Sequence, residues 1–573
     1  MLSLRMIFAG FLMFQNIYPQ KPSAPPGFSP PLDIPLYLSG NFGELRSGHF
    51  HSGLDFKTQG VTGKTVYSVD TGYISRIKIQ SNGYGNSLYI THPGGLTSVY
   101  GHLERFNDTI TRYVRAYQYQ KKTHTIDIYP DKDLFKVSKG EAVAVSGNTG
   151  SSGGPHLHFE FRGTTSQRPL NGLLYGFNVK DNVHPQISRL YAYPLGETQP
   201  GKYAEPNSFP LKHQNDVYSL NNQDTIILKG NIGFGLETED FLNEISNSCG
   251  VYSIELSVND QVVYLFRIDE FSFNESSYVN AHIDYHALVD KNKKIHLLYL
   301  KPNNLLNLYP VHINNGIVRF NPGETSNVKI LVKDAYGNSS ELGFYVKGSA
   351  PSVMLQKQDS ISYTVFNWKT PNYYENSQLG FSIPAKALYD DCVFNYARTE
   401  EGYQSIYPFT HYIGDRFTPL NKPADISFSG DLIPEQIRKK VVIAMIEDSN
   451  RISCLYSSWK GNRITAKAPR FGKFTLVVDS IAPKIVPINF IPGSNMKMHN
   501  SLILKVSDEL TGISDYQGYI DDSWVLFEYD PKNELIVYTF DRERLKQGME
   551  HKLVLNVRDA VGNEKVYQTT FVY

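Results

Sequence analysis

GNTGSSGGPHLHFE, residues 147–160, places His156 and His158 two apart directly after a glycine-rich turn. Side chains on a strand alternate with a period of two, so both imidazoles leave one face and point into one site. A second cluster lies about a hundred residues upstream in GHFHSGLDF, where His51 and Asp55 are four apart, and YGHL between the two carries His102. Two His and one Asp are a ligand set with which a catalytic zinc keeps one position open for water. Further histidines nearby are then available to handle protons. Scattered structural histidines are the competing reading, but polar groups buried together need a partner, and a metal supplies one.

The pieces around these clusters are short alternating or apolar runs punctuated by glycine: KTVYSVDTGYISRIKIQ, NSLYITHPGG, LTSVYGHL, EAVAVSG and PHLHFEFRG. This pattern predicts an antiparallel sheet, with Asp70-Thr71-Gly72 and Pro93-Gly94-Gly95 as reversals. The rhythm breaks between Glu104 and Lys139. There Ile110, Tyr113, Val114 and Tyr117 stand at helical spacing, so a helical insertion is expected at about 104–139, either walling a cleft or packing as an inserted element.

A length of 573 residues exceeds what one hydrophobic core supports and sets a prior of three to five domains. With 39 Tyr and 32 Phe, the composition favours folded, strand-rich domains over disorder. Lys plus Arg and Asp plus Glu are both 56, so no global field attracts nucleic acid or an anionic membrane. Cys249, Cys392 and Cys454 are too few and too scattered for a disulfide scaffold or a thiolate metal site, and core thiols are expected. Residues 1–20 carry one basic residue, Arg5, and a short apolar run from Met6 to Phe14, as in a secretion signal. No other segment reaches membrane-spanning length. Residues 21–39 form a Pro-rich, extended lead-in.

After Asp181-Asn182-Val183-His184-Pro185 the texture changes to strand-like runs at sandwich spacing. VKDAYGN at 332–338 is echoed by VRDAVGN at 557–563, each followed by one last alternating strand, and VIAMIEDSNR at 442–451 reads as a decayed third copy. In each echo the Asp carboxylate is expected to accept backbone N–H groups of the turn. DSIAPKI at 479–485 reads as a hinge. The expected organisation is a catalytic domain at 40–185 followed by β-sandwich modules at 186–348, 349–478 and 479–573. In the last, Trp524, Leu526 and Tyr529 read as sheet packing. HIDYH at 282–286 would alternate His282, Asp284 and His286 on one strand face, a poorly converging metal set.

The segment from about Asn41 to Asn171 resembles the lysostaphin and LytM-like zinc peptidases, the M23 peptidoglycan endopeptidases. The resemblance rests on the H-x-x-x-D of His51 to Asp55, GYG at 83–85, YGHL at 100–103, SGNTG at 146–150 and GPHLHFE at 154–160. It implies that His51, Asp55 and His158 hold Zn2+, that His102 and His156 are the non-ligand catalytic histidines, and that His49 flanks the site. Which of His102 and His156 is the base stays open. Glu160, two beyond His158, stands where it either supports a ligand or packs. GNTGSSGG would line the groove; it lacks the Gly-Lys-Ser/Thr ending of a phosphate-binding loop. RPLNGLL at 168–174 departs from the family's Asn-Pro order.

What the resemblance implies is a mainly β metallopeptidase exported to the periplasm or cell envelope, hydrolysing peptide stems of peptidoglycan with metal-activated water, D-alanyl to diaminopimelate bonds being favoured over glycine bridges. The C-terminal modules would bind an envelope protein or glycan, or space the enzyme from a surface. A catalytically silent wall scaffold or activator, and a zinc peptidase of protein substrates, are the alternative functions.

Overall fold

The computed structural model describes residues 27–196, 203–214, 217–221, 223–350, 364–404, 406–447 and 451–573. The secretion signal expected at 1–20 and the start of the lead-in lie outside the described residues. The protein is mainly β. Among the described residues the first part of the chain forms an 11-stranded sheet, and strands from Gln186 to Gly348 form a 13-stranded sheet. Two five-stranded sheets follow, then two four-stranded ones.

The strand His156–Gly163 is the pivot of the first sheet. It runs antiparallel to Leu54–Lys57 on one side and to Leu96–Phe106 on the other. Both faces are buried, and the alternation shows in what each face meets: Leu157, Phe159 and Phe161 enter the hydrophobic core, while His156, His158 and Glu160 share the opposite, polar face. Phe159 and Phe161 pack edge to face at 5.0 Å, an arrangement aromatic quadrupoles favour. Gly53 is required where the next layer crosses, because a Cβ there would lie 2.4 Å from the Phe159 carbonyl oxygen.

The Pro-rich lead-in ends as an edge strand, Leu38–Gly40, paired with Leu54–Lys57, and it buries Leu32, Leu36 and Leu38. Pro93–Gly95 makes the hairpin between Asn86–Thr91 and Leu96–Phe106. Asp70–Gly72 instead links two strands with different partners, because Thr65–Tyr67 pairs with Ala142–Ser146 and Gly72–Ile79 with Asn86–Thr91.

The expected helix is present as Asp108–Lys121, capped by the Asn107 side chain on the Ile110 N–H, with Ile110, Val114 and Gln118 buried. It begins later than expected, since the Leu96–Phe106 strand continues through Glu104. The C-terminal end of this helix meets the last part of the chain. Trp524 packs edge-on to Tyr119 at 5.4 Å, the Arg544 guanidinium stands 4.0 Å above the Tyr119 ring, and the two His124 ring nitrogens face the Phe527 and Tyr516 carbonyls at 2.9 and 3.1 Å. The sheet-packing expectation for Trp524 is therefore corrected: its ring serves a contact between distant parts of the chain.

One hydrophobic cluster runs through the first two sheets, with Phe42 and Phe50 at 5.3 and 5.8 Å from Phe271. Burying each ring contributes about 1.5–3 kcal/mol. Separate clusters fill residues 366–476 and 490–573. All three cysteines are free thiols; Cys249 and Cys392 are buried and Cys454 half-buried.

The echoed turns behave as expected. Asp334 Oδ1 accepts from the Tyr336, Gly337 and Asn338 N–H groups at 2.6–2.9 Å, and Asp559 Oδ1 from Val561 and Asn563 at 3.0 and 2.8 Å. The third copy is described only in part, as the strands Val441–Ile446 and Ile452–Cys454. HIDYH is not a strand. Asp284 caps the helix Tyr285–Lys291 through the Ala287 N–H, so His282, Asp284 and His286 share no face. His282 instead packs against His296 and Tyr309.

Trp524→Ala should loosen the seat of the last segment on the helix. Limited proteolysis of the full chain, mapped by mass, is expected to cut the 479–484 stretch faster in the variant than in the parent.

Candidate active site

Register brings the clusters together. His158 stands opposite Asp55 on one neighbouring strand and opposite Gly101 on the other, beside His102. His102 itself has φ of 58°, the left-handed region that non-glycine residues rarely adopt and that clusters at functional sites. Its N–H is held by the Tyr84 carbonyl at 2.8 Å.

Three ligand atoms converge. His51 Nε2 lies 3.1 Å from Asp55 Oδ1 and 3.2 Å from His158 Nδ1, and His158 Nδ1 lies 2.8 Å from Asp55 Oδ1. A tetrahedral zinc with bonds of ~2.05 Å separates its ligands by about 3.3 Å, so these atoms need move only a few tenths of an ångström to hold one. All three residues are at most 5% exposed. A buried imidazole pair and carboxylate is a donor set suited to zinc.

Each ligand is oriented from behind. His51 Nδ1 donates to the Asn41 carbonyl at 2.7 Å, which leaves Nε2 for the metal. Asn41 is pinned in turn by two 2.7 Å bonds between its side-chain amide and the Gly250 backbone of the second sheet. His158 Nε2 faces Glu160 Oε1 at 2.8 Å, which leaves Nδ1. Glu160 Oε1 also accepts from Ser52 Oγ and Tyr84 OH, and Oε2 from Arg162 Nε, at 2.6–2.7 Å. Asp55 offers Oδ1 to the centre because Oδ2 is taken by Arg46 Nη2 at 2.6 Å.

The charges follow from this arrangement. Burial works to raise the Asp55 carboxyl, but the His51 charge and hydrogen bonds from His156, His158 and His51 hold it well below the usual carboxylate range. Burial also opposes protonation of His158, yet its bonds to Asp55 and Glu160 push it up to about 9, so metal binding at Nδ1 releases a proton. Burial lowers His51. His102 is pushed down to about 3 by burial and by the charges of His158 and His156.

His102 and His156 stand beside the ligand set with ring centroids 4.8 Å apart. His102 Nδ1 donates to the Thr149 carbonyl and His156 Nδ1 to the Gly154 carbonyl, both at 2.8 Å, so each presents Nε2. The carbonyl of Thr149 is fixed because the glycine-rich loop locks onto GYG. Ser151 N–H donates to the Gly83 carbonyl, and a Cβ on Gly150, with φ of 71°, would lie 2.3 Å from the Gly85 nitrogen. The cleft in front, about 600 Å³, is lined by Asp55, His102, residues 151–156, Arg46 and Lys57. The helix 108–121 does not line it. His49 is exposed in the hairpin paired with Arg46 and does not converge on the centre.

The model for Peptidase family M23 matches residues 49–128. The chain carries an M23 peptidase domain. A Zu5-like domain model matches residues 363–479. The chain is 32% identical over 111 residues to an uncharacterized metalloprotease of Haemophilus influenzae, covering 19% of this chain and 18% of that protein. It is 30% identical over 127 residues to the DD-carboxypeptidase/endopeptidase Mpg of Neisseria meningitidis serogroup B, covering 22% and 23%. The match thus spans about a fifth of the length of these relatives. Among solved structures, the catalytic domain of the prophage-encoded M23 protein EnpA of Enterococcus faecalis is 25% identical, covering 24% of this chain and 87% of that one with a TM-score of 0.18. A zinc-containing peptidase of Vibrio cholerae is also 25% identical, covering 26% and 40%, with a TM-score of 0.20.

No motif marks Arg46 or Asn41, and Tyr84 stands in GYG without a role that the motif reveals; each acts through a contact that only the folded register makes.

His158→Ala is expected to abolish zinc retention by the M23 domain, and Glu160→Gln to weaken it ~10–100-fold by removing the charge that orients His158. Zinc content after dialysis against graded chelator measures both.

Proposed function

We propose that the protein is a zinc-dependent endopeptidase that hydrolyses peptide cross-links of peptidoglycan. The observation that carries this is the convergence of His51 Nε2, Asp55 Oδ1 and His158 Nδ1 within 3.2 Å, with two further histidines presenting Nε2 to the same cleft. A complete ligand set argues against a silent scaffold.

His51, Asp55 and His158 would hold the metal. When bound, zinc supplies a Lewis acid that polarises a peptide carbonyl and makes water a better nucleophile near neutral pH. His102, anchored through Nδ1 and unprotonated, accepts a proton from the attacking water at Nε2. His156, anchored on Gly154 with Nε2 3.4 Å from Asp55 Oδ1, faces the developing oxyanion and the leaving amine. The loop 151–156 forms one wall of the groove. Arg46 and Lys57 give the cleft a positive side, which suits the carboxylates of wall peptides.

The Neisseria relatives named DD-carboxypeptidase/endopeptidase support a D-alanyl to diaminopimelate bond over glycine bridges. A wall substrate requires export, in keeping with the apolar start at Met6 to Phe14 and with a place in the periplasm or cell envelope. No helix among the described residues is long and apolar enough to cross a membrane. In this reading the peptidase domain spans 40–185, and sandwich modules at 186–348, 349–478 and 479–573 contact an envelope protein or glycan.

Purified peptidoglycan of Gram-negative and glycine-bridged types, incubated with the full chain and analysed by mass spectrometry, tests this. Chelator-sensitive new amine ends in the former are expected; intact wall from zinc-loaded protein would overturn the reading. His102→Ala should keep its zinc and lose ~10²–10⁴-fold in cleavage rate, the range of a lost acid–base group.

A further inference from the structure

The echoed turns sit beside two further groups of carboxylates. Asp181, Asp240 and Asp334 place ligand oxygens within 4.8 Å of one another, and Asp479, Asp508 and Asp559 do the same. The parts correspond: one Asp from the segment entering the sheet, one at the end of an early strand, one from the D-A-x-G-N turn. The two groups differ in how their oxygens are satisfied.

In the C-terminal group hydrogen-bond donors fill the space between the carboxylates. Thr511 Oγ1 donates to Asp479 Oδ2 at 2.6 Å, and the Leu510, Thr511 and Gly512 N–H groups reach Asp508 Oδ2 at 2.8–3.2 Å. In the first group the Val183 N–H reaches Asp181 Oδ1 at 3.0 Å, but two buried carboxylate oxygens are left over. Asp240 is 2% exposed and its Oδ1 has no hydrogen-bond partner; Asp181 Oδ2 is likewise buried without one. Asp334 is anchored by its own turn, with Asn338 Nδ2 on Oδ2 at 2.6 Å. Among the described residues no lysine or arginine forms an ion pair with any of the three.

Burial and the neighbouring carboxylates push Asp240 up to about 8, and burial and Asp334 also raise Asp181, against the opposing charge of His184. Orphaned buried carboxylate oxygens facing one another are an arrangement that a cation relieves. The donors are all carboxylate oxygen, which selects a hard divalent ion over zinc. Ca2+ takes carboxylates in flexible geometry, whereas Mg2+ demands a near-ideal octahedron and keeps several waters, so three carboxylates brought from separate segments suit Ca2+ better.

We propose that Asp181, Asp240 and Asp334 form a Ca2+ site at the joint between the peptidase sheet and the sheet that follows it. Asp181 belongs to the connecting segment, Asp240 to the strand Gly230–Phe241 and Asp334 to the turn before Ser339–Gly348. A bound ion ties the connection to two separate strands of the second sheet. That sheet also holds Asn41 through Gly250, so the ion steadies the support behind His51 without touching the zinc ligands.

Calorimetric titration of the zinc-loaded, calcium-free full chain with CaCl2 tests the assignment. Binding is expected with a Kd at or below ~1 mM, as in extracellular modules. Asp240→Asn and Asp181→Asn should each weaken it ~100-fold or more, the loss of one ligand charge. Both should keep their zinc and match or exceed the parent's Tm in calcium-free buffer, because each removes a carboxyl whose ionised form burial and its neighbours oppose. Asp479→Asn should leave the titration unchanged. No binding by the parent chain, binding retained in both Asp240→Asn and Asp181→Asn, or loss of binding in Asp479→Asn alone would overturn the site.

Discussion

The pairing of His156–Gly163 between two antiparallel neighbours is the constraint on which the active site depends. A strand has a period of two, so a slip of one residue would turn both histidines into the core and Leu157 and Phe159 out of it. The aromatic layer formed by Phe159, Phe161, Phe56 and Phe177 therefore holds the register as well as filling space. With the register set, His158 has no choice but to meet Asp55 on one side and the His102 turn on the other.

Around that strand the charges are arranged in alternation. Arg46 compensates Asp55, Glu160 supports His158, and Arg162 compensates Glu160. Each buried charge is paired, as burial demands. The alternation runs from the half-exposed Arg46 through the centre to Arg162, whose guanidinium lies 4.6 Å from the ring of Phe273, in the short 3-10 helix Phe273–Tyr278. The candidate centre is thus supported from the part of the chain that follows the first sheet, through Gly250 behind Asn41 and through Phe273 beside Arg162.

Much of this was legible before folding. The histidine ligands and Asp55 sit at short fixed spacings, and the helix 108–121 announces itself by Ile110 and Val114 on one face. The supporting groups were hidden for a physical reason. Arg46 meets Asp55 across a turn of nine residues and Tyr84 meets Glu160 across 76, and nothing in their local sequence encodes either contact. HIDYH was misread because five residues of alternation fit a strand and a capped turn equally; the Asp284 side chain on the Ala287 N–H decides for the helix. Trp524 read as a sheet residue because local pattern cannot show which face a distant helix will cover.

The return of the chain's end to its beginning bears on the order of assembly. Lys532 Nζ reaches the Asn148 and Ser152 carbonyls, on either side of the glycine-rich loop, across 384 and 380 residues of sequence. Closing so long a span costs only about 1 kcal/mol more than closing one a quarter as long, but such contacts form late. The proposed zinc ligands span only 107 residues, from His51 to His158. The ligand set can therefore be complete while one rim of the cleft still waits for its last contact, and the finished groove is a product of the whole chain.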